Sequence, residues 1–161
     1  MKKIITFLLL ISVSFANAQA FTGKGDKKIN VGAAFQEDGT GIEASIDFGL
    51  GENISFGFAT SYVLAISNNS LYPQDFNDRY DARVRLSANL GSVFKMNPKM
   101  DVYPGLDLSL KNFGCHVGFR YFFTDGFGLF TEAVFPIAKY DTESAGFNNQ
   151  FTMNVGASFN L

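Results

Sequence analysis

Apolar and polar residues alternate one for one through most of this chain, and the stretch from Phe151 to Leu161 (FTMNVGASFNL) shows it without a break. Phe151, Met153, Val155, Ala157, Phe159 and Leu161 fall on one face, and Thr152, Asn154, Gly156, Ser158 and Asn160 on the other. A period of two sends successive side chains to opposite faces of a strand. The same pattern recurs along the chain and predicts about eight strands. The first, near Lys28 to Glu37, carries Ile29, Val31, Ala33 and Phe35, and EDGT (Glu37 to Thr40) holds an Asp-Gly hairpin signal. The second sets Ile42, Ala44, Ile46 and Phe48 against Glu43, Ser45, Asp47 and Gly49. The third carries Ile54, Phe56, Phe58, Thr60, Tyr62 and Leu64. The fourth sets Tyr80 to Leu90 against Asp81, Arg83, Arg85, Ser87 and Asn89. In the fifth, Val102, Leu106, Leu108 and Leu110 alternate, but Pro104 lacks a ladder donor and suggests a bulge. The sixth sets Phe113, Cys115, Val117, Phe119, Tyr121 and Phe123 against Gly114, His116, Gly118 and Arg120. The seventh, from Phe127 to Ile137, has Phe130 and Val134 on its inward face, and the eighth closes the chain.

The connections sort into two sides. Turns around Gly51, at KMNPK (Lys95 to Lys99) and at Thr124-Asp125-Gly126 are short and share one side. The two longest loops, Ser67 to Asp78 and Ala138 to Asn149, share the other. Short periplasmic turns with longer extracellular loops are the pattern of a transmembrane barrel. Alternation alone also fits a soluble lipocalin-like barrel with its apolar face inward. Three features favour the membrane. The polar face is poor in lysine and rich in Gly, Ser and Asn, as a cramped interior requires. Aromatics gather near strand ends, with Phe48, Phe123, Phe127 and Phe159 at one rim and Phe35, Tyr62, Tyr80 and Phe113 near the other. The chain also ends on an apolar strand. The predicted fold is therefore all-β, an eight-stranded antiparallel up-and-down transmembrane β-barrel preceded by a cleaved signal peptide.

The leader is read from its layout. Lys2 and Lys3 precede an apolar run from Ile4 to Phe15, too short for the ~20 residues of a helical span. Ala16-Asn17-Ala18 then supplies a small-x-small cleavage pattern, with the cut after Ala18 or two residues later after Ala20. No cysteine follows that would take a lipid. Residues 1–20 form the expected leader and 21–161 a single barrel domain, since about 141 residues are enough for one domain and not two. Of 13 basic residues two lie in the leader, so the exported part carries 11 against 15 acidic ones, a formal charge of −4 that excludes a basic nucleic-acid footprint. Cys115 is alone, so no internal disulfide forms.

Two further segments carry a family likeness. RYFFTDGFGLFTEAVF (Arg120 to Phe135) has a strand-turn-strand pattern, and GENISFGF (Gly51 to Phe58) is a turn leading into a strand. With these and its closing strand, the mature chain resembles the small OmpA/OmpX-type outer-membrane barrels, particularly those of flavobacteria and other Bacteroidetes. The resemblance implies a Gram-negative outer-membrane location, contact with membrane lipids, a monomer, and recognition of Phe151 to Leu161 by the barrel-assembly machinery. That signal usually ends on an aromatic residue; here Phe159 is two residues early and Leu161 is last. Activity does not follow from the likeness, because one fold hosts many functions.

The alternation sends Glu43, Asp47, Asp81, Arg83, Arg85, Asp107, His116, Arg120 and Glu132 into the lumen. A small barrel is barely wide enough inside for its own side chains, and unpaired charges there carry a severe desolvation cost. The expectation is an ion-paired plug, with a narrow gated ion path or small-solute pore as the alternative. Catalysis is not expected. His116 is the sole histidine and is followed two positions on by Gly118, so the His-x-Ser pair of outer-membrane lipid A deacylases is absent. Cys115 and His116 face opposite ways and cannot form a nucleophile-base pair. One histidine and one cysteine make no metal cluster, and no cofactor is expected. The long loops offer Leu71, Tyr72, Phe76, Tyr140 and Phe147 as contacts for a surface partner, although long barrel loops are also simply tolerated surface.

Overall fold

The computed structural model describes residues 19–66, 75–140 and 147–161. The strands β1 (Lys27–Gln36), β2 (Gly39–Gly49), β3 (Ile54–Ile66), β4 (Tyr80–Ala88), β5 (Met100–Ser109), β6 (Asn112–Phe122), β7 (Phe127–Lys139) and β8 (Thr152–Asn160) pair in antiparallel sequence order. β8 pairs back onto β1, from Lys28↔Asn160 to Gln36↔Thr152, and closes the barrel. Closure gives every strand a hydrogen-bonded neighbour on both sides, as a sheet in lipid requires. One helical turn, α1 (Phe76–Arg79), leads into β4, and a 3-10 turn covers Phe147–Asn149.

The two faces of each strand follow the alternation, with the apolar face outward. Val31, Phe58, Leu86, Leu106, Leu129 and Val155 are each 48–50 % exposed, whereas Glu43, Asp47, Arg85, Arg120, Glu132 and Asn154 are 0–3 % exposed. A soluble barrel would have these environments reversed. Among the described residues no helix is long and apolar enough to cross a membrane; strands make the apolar wall. Rings meet at both ends of it. Phe123 and Phe127 lie 6.2 Å apart, and Phe127 and Phe159 5.7 Å apart, beside the turn at 123–126. At the opposite end Phe76 stacks on Tyr80 at 5.5 Å and lies 5.4 Å from Tyr62.

Five details differ from the sequence expectation. Pro104 makes no bulge: β5 pairs with β6 in unbroken register through Pro104↔Val117. Its missing N–H shows on the other side, where the β4 ladder stops at Ser87↔Gly105. The β4–β5 connection is consequently not the short turn Lys95 to Lys99 but the whole of 89–99, folded on itself by bonds such as Met96 N to Gly91 O at 2.9 Å. The register shifts lie instead at Thr40/Gly41 and Phe113/Gly114. The first hairpin turns through Glu37 and Asp38, with Gln36 opposite Gly39, so the Asp-Gly pair does not occupy its centre. Finally, β7 runs two residues beyond Ile137 to Lys139, and α1 occupies the end of what the composition marks as loop.

Candidate functional site

The lumen is the site the inward residues build. It is filled by ion pairs, several of which join strands that are not neighbours. In the half nearer the long loops, Arg83 of β4 pairs with Glu43 of β2, and Asn154 Nδ2 of β8 donates to the same Glu43 Oε2 at 2.6 Å. Asp81 accepts from Ser109 Oγ at 2.7 Å. At mid-height Arg85 Nη2 donates to Glu132 Oε2 of β7 at 2.5 Å, and its Nε lies 3.4 Å from Asp47 Oδ1. Arg120 of β6 reaches the other oxygen of Asp47 at 3.4 Å from the opposite wall. Its guanidinium lies 3.8 Å above the Tyr103 ring, a cation–π contact between two fully buried groups, and 3.9 Å from Asp101. Charges held this deeply need such partners, because the desolvation of each is worth several kcal/mol.

Inward glycines make room for these groups. A Cβ on Gly118 would stand 2.1 Å from Tyr103 Cζ, and one on Gly105 would stand 2.4 Å from His116 Cε1. The space over Gly105 lets His116 reach across β5 to β4. There its Nε2 meets Ser87 Oγ at 2.9 Å while its Nδ1 meets Asp107 Oδ2 at 2.9 Å. This is a Ser-His-Asp contact of the kind used in nucleophilic catalysis. It is set in a wall of the lumen with Ser87, His116 and Asp107 each only 1–2 % exposed. A nucleophile needs a reacting atom within reach, and this burial leaves no approach to Ser87.

Every lumen candidate from the sequence lies on the inward face, and all are buried except Arg83, whose side chain keeps 9 % exposure. Sequence reasoning missed Lys28, Asn30, Asp101 and Tyr103, all 0–1 % exposed, while Asn154, set on the polar face of the last strand but not counted in the lumen set, is completely buried. The signal was available: Asp101 and Tyr103 have the parity of Asp107 in β5, but an aromatic residue reads as outward-facing by hydrophobicity alone. Ser87 was placed inward, yet its meeting with His116 depends on the register of three strands. Among the described residues no group of acidic, histidine and cysteine side chains could hold a metal ion.

The loop candidates divide. Leu71 and Tyr72 lie outside the described residues, and Phe147 falls in the 3-10 turn. Phe76 is 62 % exposed while stacked on Tyr80 and tilted against Tyr62, and Tyr140 is 56 % exposed with its N–H bonded to Lys111 O at 3.1 Å. The bases of the connections are laced together over this mouth. Asn112 Nδ2 donates to Asn148 O at 2.8 Å, Asn148 Nδ2 to Asp78 O at 2.9 Å, Gln150 to Asp38, and Lys111 to Asn77 O. Beneath the lacing a cavity of about 20 Å³, lined by Glu43, Asp81, Arg83 and Gln150, has room for on the order of one water. The outer wall, by contrast, carries an open apolar hollow of about 660 Å³ over Ala44, Thr60, Ala82 and Val84.

A closed strand order, a charged interior and an apolar exterior define an outer-membrane-type eight-stranded β-barrel. The chain belongs to a family of unknown function, DUF6646, whose profile matches residues 11–161. Its fold is similar to that of a de novo designed transmembrane β-barrel, with a TM-score of 0.60, 11 % identity, and 87 % of this chain and 98 % of that one covered. It is also similar to the N-terminal β-barrel domain of Pseudomonas aeruginosa OprF, with a TM-score of 0.55, 9 % identity, and 87 % and 100 % covered. No curated protein matches this chain.

Proposed function

We propose that this protein is a monomeric, non-enzymatic barrel of the Gram-negative outer membrane, exported by a cleaved leader within residues 1–20, with a structural or cell-surface interaction role. Its outer wall contacts membrane lipids, the barrel-assembly machinery reads Phe151 to Leu161, and the long loops face the cell exterior. The observation that carries this reading is the cross-lumen tie of Arg85 to Glu132 and Asp47, sealed between walls of half-exposed apolar side chains. Such a lumen supports the barrel as a polar core and blocks leakage. The buried Ser87–His116–Asp107 contact fits the same role, because a hydrogen-bonded network across three strands ties together the elements it joins.

A second reading, a narrow pore, draws on the charge balance. Asp81 and Asp107 accept from a hydroxyl and face an imidazole, and they leave the lumen with more carboxylates than arginine and lysine side chains. A pore with that excess would prefer cations. Single-channel recording of the refolded protein in a planar bilayer separates the two readings. With insertion verified, the plug gives a silent bilayer, while stable and cation-selective steps would replace it with the pore. Topology is tested by labelling intact cells with an impermeant thiol reagent in a Cys115→Ala background. Cysteines at Tyr72 or Asp141 should react and one at Asn97 should not; the reverse would invert the barrel.

A further inference from the structure

Residues 19–26, ahead of β1, do not trail away from the barrel. Gly25 N donates to Gly49 O at 2.9 Å, and Gly49 N donates to Asp26 O at 2.8 Å, so the segment turns back over the end of β2. Gly23 and Gly25 have φ of +92° and +89°, left-handed conformations that allow the reversal. Asp26, 6 % exposed, holds the turn from both sides: it accepts from Thr22 N at 3.0 Å and from Lys28 Nζ at 2.5 Å. From there the chain reaches the far side of the mouth. Ala20 is completely buried and its N–H donates to Pro98 O, in the 89–99 connection, at 2.7 Å. Gln19 and Phe21 share the lining of a cavity of about 170 Å³ with Asn89 and Asp101. Those two side chains are 1 % exposed, belong to the lumen, and carry Asn89 Oδ1 and Asp101 Oδ2 without hydrogen-bond partners.

We infer that Gln19 to Asp26 is a built-in stopper for the periplasmic mouth of the lumen, and that the exported chain is therefore cut at the Ala18–Gln19 bond rather than after Ala20. Both Ala16-Asn17-Ala18 and Ala18-Gln19-Ala20 offer small residues to a signal peptidase, so the pattern alone does not choose between them. The fold does. A cut after Ala20 removes the buried methyl group and the N–H that anchor the segment to Pro98, and leaves a charged amine at Phe21 where the strap should continue. A cut after Ala18 keeps Ala20 as an ordinary amide. In that cut a signal peptidase hydrolyses the Ala18–Gln19 amide with one water. Its hydroxyl goes to the Ala18 carbonyl carbon, and the Gln19 nitrogen gains a hydrogen and leaves as an amine.

The inference rests on the export reading above, and the first measurement separates their failures. Intact-mass and amino-terminal sequencing of the protein from outer membranes should begin at Gln19. A start at Phe21 would overturn the stopper while leaving export untouched; an intact Met1 would sink export and the inference with it. The second measurement reads the stopper itself. In a Cys115→Ala, Asn89→Cys protein, refolded with 19–26 in place, an impermeant thiol reagent should label slowly. Deletion of 19–25 should raise that rate at least about tenfold, as expected when a local barrier of opening is removed. Ala20→Glu, which places a charge in the buried position without shortening the chain, should do the same, with heat-modifiable gel mobility showing that each barrel is folded. Equal rates in all three folded proteins would mean that the segment closes nothing.

Discussion

Val84 and Arg85 are neighbours in β4 and occupy two different solvents. Val84 stands on the outer wall beside Phe58 and Leu108 in the ladder, while Arg85 is 1 % exposed and spans the lumen to Glu132 and Asp47. The outer wall asks one thing of a residue, that its transfer into hydrocarbon be favourable, and many apolar side chains satisfy it. The lumen asks for a particular partner at a particular distance, because each buried charge is tolerated only while it is paired. One face of every strand is thus specified by composition and the other by geometry.

That contrast predicts a ranking of substitutions. The largest effect should come from Arg85→Ala, which leaves Glu132 and Asp47 without their shared cation and should cost ~3–5 kcal/mol in equilibrium unfolding from lipid vesicles. Arg85→Met with Glu132→Leu should recover most of that loss; a double variant as unstable as the single one would show that the pair is not the source. Next, Val84→Arg should cost ~2–4 kcal/mol in the same titration if β4 is centred in the bilayer, and an unchanged midpoint would place that face away from lipid. Gly118→Ala should cost ~1–3 kcal/mol through its contact with Tyr103, and the loss should shrink when Tyr103→Ala is added. At the bottom, Leu106→Ile on the wall should change stability by less than ~1.5 kcal/mol. If Leu106→Ile proved as costly as Gly118→Ala, the wall would be packed against something more exacting than lipid.

Much of the fold was legible because its signal is local. The parity of Ile42, Ala44, Ile46 and Phe48 against Glu43, Ser45 and Asp47 is visible within one strand, and the structure keeps it. Pro104 was legible as a defect but not as to its consequence: a missing N–H can trouble the ladder on either side, and only the pairing shows that β4 loses contact while β6 does not. The 89–99 connection was misjudged for the same reason, since Leu90 continues the apolar alternation after the ladder has ended. Tyr103 went unread because its hydrophobicity argued against its parity.

The two-faced strand, repeated along the chain, is written in the order of its residues, and with it the set of residues admitted to the lumen. This is so because the side-chain period of a strand is a property of adjacent residues. Which lumen residues meet was decided only by the tertiary structure. Arg120 lies opposite Asp101 and Phe130 in its own ladders, yet it also reaches Asp47 on the far wall. Ser87, Asp107 and His116 come together through the stagger of three strands and the gap above Gly105. Barrel closure and strand stagger set the height of each inward side chain, and those heights, not the spacing along the chain, choose the partner.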